Sequence, residues 1–486
     1  MVLRVGVECP MSLLPNLAGL SLAPPEVVDI GGKGEAGKRP RDDGVPDEMK
    51  LWKLSNAFCR EWKNDTDALG ARNVLAVFFL LAKCAQNSLD TFPENDDWFN
   101  FVGRFLALYV RDENSAGKKV DLSDSVKTLV REKIEGVTVE TLKTENGVEQ
   151  WVQTINDACR VNTEGKIDEL VKVEDFDNPQ MQLVVMAAEF IKGDWVTPWK
   201  GFTITETPFY GTDKDSEVGR CNMMNHSSKS NVFLWQGEYC RVVLMPTAKP
   251  DGPRDLSDVY GLVVLPSGEQ GKPTKLEMME RATTEVAENL AQIKGAIKFK
   301  SDTTCGGSRT PDYDDDVVLQ LPRMRHKMRP FDLSTACHSV LPSDLMNSIN
   351  NVAVVNDDVT GCRHSPPLRV DKVLHSTFLQ VHEAGFEAAA ATAVTVYVAL
   401  SAGSEQSPPP RLVRCDRGFL FYLANLGPQP HVLYYSRVTN DIGLRDAPQA
   451  SDPNYELQER PWEYMNATQR NFAQTPEMQY ARRMPV

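Results

Sequence analysis

The chain has 486 residues, 41% of them hydrophobic and 25% charged, with a formal net charge of −14. That balance describes a globular chain able to bury a sizeable core. It excludes a nucleic-acid-binding surface, since no basic stripe offsets the acidic total. No apolar run approaches the ~18 residues of a membrane span, so no membrane partner is expected. Ten cysteines are scattered without a Cys-x-x-Cys pair, which leaves no basis for zinc or dithiol chemistry and reads as free thiols in a reducing compartment. Arg4 precedes an apolar stretch broken by Glu8, Pro10 and Pro15, a poor signal-peptide core. The expected location is cytoplasmic, with an extracellular one as the alternative, and the sequons at Asn64, Asn225 and Asn466 are read as chance occurrences.

Residues 1–48 contain Pro24-Pro25, Gly31-Gly32 and the mixed charge run Lys38 to Asp43, the composition of a flexible arm. Helical periodicity covers Asp47 to Trp62, Ala71 to Ser88, Trp98 to Tyr109 and Ser123 to Ile134. From about residue 180 the pattern changes to alternating, β-branched strands separated by turns. Helices first and strands later predict an α+β fold on large mixed or antiparallel sheets. Residues 401–417, with Ser407-Pro408-Pro409-Pro410, read as loop, and residues 443–486 as a polar, proline-punctuated extension to which no fold is assigned.

Motifs for chemistry are scarce. Gly32 to Lys38 imitates a phosphate-binding loop, but Arg39 stands where Ser or Thr would hold magnesium, and Pro40 follows. Asp312 to Asp316 is acidic without the glycine and closing glutamate of a calcium loop, and reads as a solvated turn. None of the seven histidines sits in a nucleophile-elbow or His-Glu-x-x-His context. No catalytic residue, metal site or cofactor is expected, and the chain is not read as an enzyme.

One stretch stands apart: Glu383-Ala384-Gly385-Phe386-Glu387-Ala388-Ala389-Ala390-Ala391-Thr392-Ala393-Val394-Thr395-Val396. A glycine precedes small residues that grade into β-branched ones, with no proline. Propensity alone leaves an alanine-rich helix and an extended segment about equally placed. The flanks decide. Upstream, Leu368 to Glu383 includes His375, Phe378, Val381 and Glu383; downstream lie Gly418-Phe419-Leu420-Phe421-Tyr422-Leu423 and His431 to Asn440.

Order, spacing and residue type here resemble the serpin family, in a strand ending His-x-x-Phe-x-x-Val-x-Glu, an alanine-rich hinge, and a final hydrophobic hairpin. The alanine run looks most like that of plant serpins. The resemblance continues backwards through Leu321-Pro322-Arg323 with Phe331-Asp332-Leu333, through Ala187 to Trp199, and through Trp151 with Thr163 to Leu170. It spans about residues 148–442. The Phe-Ser-Pro-x-Ser strand and helix expected near Asn73 to Ala85 are not recognisable, and Lys118 to Gly147 looks short for the family's long strand before the Trp151 helix.

The resemblance implies a serpin-like domain over residues 49–442 with an exposed reactive-centre loop at about 384–417. It implies a monomeric suicide-substrate inhibitor of serine proteases, elastase- or chymotrypsin-like, with cysteine proteases as a further target class. A protease would cleave the loop, and its N-terminal half would insert as a new strand in the central sheet. Gly385 would act as the hinge. By period-2 alternation Phe386, Ala388, Ala390, Thr392, Val394 and Val396 would face inward, and Glu387, Ala389, Ala391, Ala393 and Thr395 outward. The family's spacing places the reactive bond at Ala399–Leu400, with Arg411 and Arg414 as alternatives. Glu383 is expected to pair with Arg323 at the top of the sheet, where Trp195 also stands, and His375 to lie where strands part.

Two departures bear on inhibition. Phe386 stands where the family usually has Thr or Ser, and forcing a benzyl group into a tight gap would cost about 1–3 kcal/mol, a roughly ten- to hundred-fold slowing of insertion. Phe386→Thr is therefore expected to raise the trapped fraction. Ala187 replaces an asparagine beneath the sheet, which would deprive His375 of a partner. The second reading is accordingly a non-inhibitory binding, storage or pseudo-inhibitor protein that is cleaved without trapping.

Overall fold

The computed structural model describes residues 2–7 and most of residues 46–386 and 411–444. The Arg104–Arg111 strand shows why the framework forms where it does. Leu106 to Val110 are all buried, with Leu106, Leu108 and Val110 in one apolar cluster and Ala107 and Tyr109 in another. Period-2 alternation thus sends one set of side chains to each face of a sheet covered on both sides. The strand pairs in parallel with Val137–Leu142 and antiparallel with Met181–Glu189.

These belong to a six-stranded central sheet in the order Phe331–Asp332, Leu368–His375, Val2–Val7, Met181–Glu189, Arg104–Arg111, Val137–Leu142. One face is covered by helix α2 (Ala71–Ala85), which follows helix α1 (Lys50–Glu61). Val74 to Ala82 are buried at every position, because α2 is sandwiched between Met181–Glu189 and the His431–Val438 strand of a second sheet, and a helix apolar all round needs neighbours all round. Helix α3 (Asp124–Glu132) follows, and helix α4 (Gly147–Asn162) covers the other face, where Trp151, Ile155 and Cys159 join the cluster of Tyr109, Val184 and Met186.

The second sheet runs Phe233–Gln236, Cys240–Lys249, Gly252–Pro266, Phe419–Asn425, His431–Val438, Ala68–Leu69. A third contains Arg411–Arg414, Val317–Pro322, Gly219–Asn225 and Thr203–Phe209. A fourth, above the central sheet, joins Met324–Lys327, Phe378–Val381, Gly385–Phe386 and Gly193–Asp194. No helix among the described residues is long and apolar enough to cross a membrane. Cys59, Cys84, Cys159, Cys221, Cys240, Cys337 and Cys415 are buried free thiols, and Cys362 is exposed.

The α+β expectation matches this architecture, and three local expectations are corrected. Trp98 to Tyr109, read as helical, yields the strand Arg104–Arg111; a short run buried on both faces lacks the alternation that separates strand from helix. Residues 401–417, read as loop, include the strand Arg411–Arg414, and residues 401–410 lie outside the described residues. Val2–Val7, read as part of an arm, is a strand of the central sheet, while residues 8–45 lie outside the described residues, as do 445–486. Ala71 to Ser88, read as helical although the family's motif near Asn73 to Ala85 is not recognisable in it, carries helix α2, preceded by the two-residue strand Ala68–Leu69. The strand sought before the Trp151 helix is present in two parts, Arg104–Arg111 and Val137–Leu142.

Candidate functional site: a hinge seated between strands

The residues singled out at the hinge converge at the top of the central sheet. Gly385–Phe386 is held along both edges. Phe386 pairs with Val381 on one side and Gly193 on the other, and Gly385 with Asp194. Backbone bonds fasten the approach: the Trp195 and Trp199 N–H groups donate to the Ala384 and Glu383 carbonyls at 2.9 and 2.8 Å, and Trp195 Nε1–H donates to the His382 carbonyl at 2.9 Å. Trp195 thus braces the sheet top through both its backbone and its indole.

Close approach explains two glycines. A Cβ on Gly385 would lie 2.1 Å from the Gly193 carbonyl oxygen, and one on Gly193 would lie 2.4 Å from Cζ of Phe386. Gly385 does not occupy a left-handed conformation. Its lack of a side chain serves proximity here rather than unusual dihedrals. Gly193, not singled out from the sequence as a site residue, leaves the space that the Phe386 ring fills. The ring is buried, 5.7 Å from that of Trp195. The benzyl group that looked too large for a tight gap lies inside the sheet, seated over a glycine.

Arg323 and Glu383 meet as expected. Arg323 Nη2 and Nε reach Glu383 Oε1 at 2.8 and 2.9 Å, and Nε reaches Oε2 at 3.1 Å. Both side chains are less than 5% exposed. In this setting the fork of a guanidinium fixes direction as well as charge. The pair anchors the Glu383 end of the hinge to the strand turn after Pro322.

His375 lies at the end of the Leu368–His375 strand, fully buried. Its Nε2 accepts from the Gly70 N–H at 3.0 Å, and its ring stands edge-on to Trp62 at 6.4 Å. Burial holds its pKa well below the usual histidine range. Its Nδ1 has no hydrogen-bonding partner among the described residues, consistent with the partner expected to be lost through Ala187. His431, buried in the second sheet, is likewise lowered, to about 3, by burial and the nearby Arg72 charge.

Glu387, Ala388, Ala389, Ala390, Ala391 and Thr392, and the expected reactive pair Ala399 and Leu400, lie outside the described residues. Arg411 and Arg414 do not suit a reactive bond: they belong to a strand paired in parallel with Val317–Pro322, and Arg414 is buried 3.3 Å from Asp416. No cluster of His, Cys, Asp or Glu suited to a metal ion occurs among the described residues.

Three outcomes follow. Glu383→Ala leaves a buried guanidinium without its carboxylate and should lower unfolding free energy by about 3–5 kcal/mol in urea titration, whereas the apolar pair Arg323→Met with Glu383→Leu should recover most of the loss. Gly193→Ala should force the Phe386 ring off Trp195, read as a change in tryptophan emission that Phe386→Ala alone reproduces and that the double variant does not exceed. For pH, the folded pKa of His431 lies below the unfolded value of about 6.5, so its contribution is complete above pH 6.5 and lost as pH falls. Stability at pH 5 should be lower than at pH 7 by about 2 kcal/mol from this group, with His375 acting in the same direction, and His431→Gln should flatten the slope.

Comparison with known proteins bears on the whole arrangement. A family model described as "Serpin (serine protease inhibitor)" matches residues 118–440, well over half of the chain. The leukocyte elastase inhibitor of Equus caballus is 25% identical over 309 residues, covering 64% of this chain and 71% of the relative. Serpin B4 of Homo sapiens is 28% identical over 303 residues, covering 62% and 67%. Among solved structures, thyroxine-binding globulin in complex with thyroxine matches with a TM-score of 0.54 at 16% identity, over 81% of this chain and 98% of that one. Tengpin, a thermophilic serpin in its native state, matches with a TM-score of 0.54 at 14% identity, over 83% and 96%. Those structural matches cover nearly all of the known chains, so the fold extends through the N-terminal helices whose sequence is hard to recognise. The chain belongs to the serpin family.

Proposed function

We propose that this serpin inhibits serine proteases as a suicide substrate, with Ala399–Leu400 as the reactive bond. The observation that carries the reading is the hinge. Gly385–Phe386 already lies between Phe378–Val381 and Gly193–Asp194, so a strand between these borders has begun. Its far end is anchored separately, by Arg411–Arg414 in a different sheet. A cut between these anchors would free the N-terminal half to continue a strand already begun, the reactive-loop insertion for which serpins are a known case of strand addition.

The chemistry of the proposal is that of an interrupted hydrolysis. The protease serine oxygen adds to the Ala399 carbonyl carbon. The bond to the Leu400 nitrogen breaks, and Leu400 leaves as a free amine. Ala399 remains as an ester on the protease. Insertion of residues 387–399 then competes with attack of water on that ester. A small Ala399 favours elastase-like enzymes, and the leukocyte elastase inhibitors among the relatives agree with that class. The neighbouring Leu400 and Tyr397 would extend preference to chymotrypsin-like enzymes. The alanines of residues 388–391 keep the entering segment narrow, and Glu383 stays fixed to Arg323 as the segment swings.

Mixing the purified protein with pancreatic elastase, and separately with chymotrypsin, tests this on a denaturing gel. The expected result is a band at the summed mass less that of residues 400–486, stable to boiling, with a released peptide beginning at Leu400. Complete cleavage between residues 397 and 415 without that band would instead assign the protein to the non-inhibitory serpins.

A further inference from the structure

Val2–Val7 occupies a particular place in the central sheet. It lies between Leu368–His375 and Met181–Glu189, antiparallel to both. Gly385–Phe386 enters between the continuations of the same two borders, Phe378–Val381 and Gly193–Asp194, and is also antiparallel to both. Two segments distant in sequence therefore share one slot, one at each end.

The registers of the two occupants can be compared by counting one for one from the pairs Phe386↔Gly193 and Phe386↔Val381. A strand continued seven residues, to Ala393, would face Met186 and Leu374, the two partners of Val2. Continued thirteen residues, to Ala399, it would face Leu368, the partner of Val7. Residues 393–399, on insertion, would therefore require the backbone groups that residues 2–7 hold.

Between the two occupants, residues 387–392 would span the interval from Phe386 to the position of Val2. A cavity of about 20 Å³ is lined there by Ala187, Ala188 and Ile191 from one border and by Ser376, Thr377 and Leu379 from the other. It is as large as about one water molecule. Nothing among the described residues pairs with both borders in this interval.

We propose that Val2–Val7 is an intramolecular plug that must leave before residues 393–399 can enter the slot. The segment suits the role: its three valines favour a strand, and it has no proline to interrupt pairing. While seated it satisfies the backbone of the parted strands and holds the lower slot against the loop. Once displaced, it hands the same hydrogen-bonding groups to residues 393–399, so departure of the plug becomes part of the barrier to full insertion. The proposal rests on the loop-insertion reading above for its consequence in protease trapping, but the occupancy itself does not.

Hydrogen exchange on the full chain tests the occupancy first. Amides of residues 2–7 should be protected, and a variant lacking residues 2–7 should expose amides of 181–186 and 368–374. Exchange of residues 2–7 at the rate of a free peptide overturns the proposal. The second measurement follows uptake of a labelled synthetic peptide with the sequence of residues 387–399 on a native gel. Uptake by the deletion variant, and by Val5→Pro, should be at least ~10-fold faster than by the full chain. A synthetic peptide of residues 2–7, added to the deletion variant, should slow it again, which separates competition for the slot from general loosening of the fold. Equal uptake by all proteins, or uptake by none, overturns the competition. Elastase then separates the two readings. Cleavage without trapping in both full chain and variant, with the uptake contrast intact, removes the inhibitor reading and leaves the plug. Trapping to equal extents, with no contrast in uptake, does the reverse.

Discussion

The structure depends on keeping backbone hydrogen bonds satisfied across a parted sheet. Met181–Glu189 and Leu368–His375 are separated by the width of one strand, and buried peptide groups left unpaired there would cost about as much as lost hydrogen bonds, roughly 1–3 kcal/mol each. Something must therefore lie between them. In this chain the space is shared by Val2–Val7 below and Gly385–Phe386 above.

That requirement orders the surrounding packing. Helix α4 and helix α2 cover opposite faces of the sheet, so a segment that enters must do so lengthwise, from an end. At the top, the Arg323–Glu383 pair and the Trp195–Trp199 backbone fix where the hinge begins. Gly193 and Gly385 let two backbones and one aromatic ring approach more closely than any side chain would allow. Near the middle, His375 reaches Gly70, joining the end of one border strand to the start of α2.

The inhibitor reading and the plug draw on the same geometry in opposite directions. A hinge paired on both edges favours rapid continuation of the strand. A second occupant in the same register opposes its completion. In the proposed mechanism insertion must outrun hydrolysis, so the balance between the two segments would set the outcome of each encounter with a protease. A fold held from a more stable arrangement by such a barrier is stable in a kinetic sense.

Much of this was legible in the residues themselves. The α+β class follows from periodicity, while the Arg323–Glu383 pair and the placement of His375 were implied by the resemblance to serpin motifs whose order is retained. Helices α1 and α3 were marked by their periodicity. What sequence left undecided was pairing between distant segments. Val2–Val7 carries a strand's composition, yet nothing in six residues names its partners, and the glycine- and proline-rich stretch after it suggests an arm. Arg104–Arg111 hides its alternation because both faces are buried. Phe386 looked oversized until Gly193 stood opposite it. Each of these outcomes was decided by which backbone lies beside which, and only the folded chain brings those backbones together.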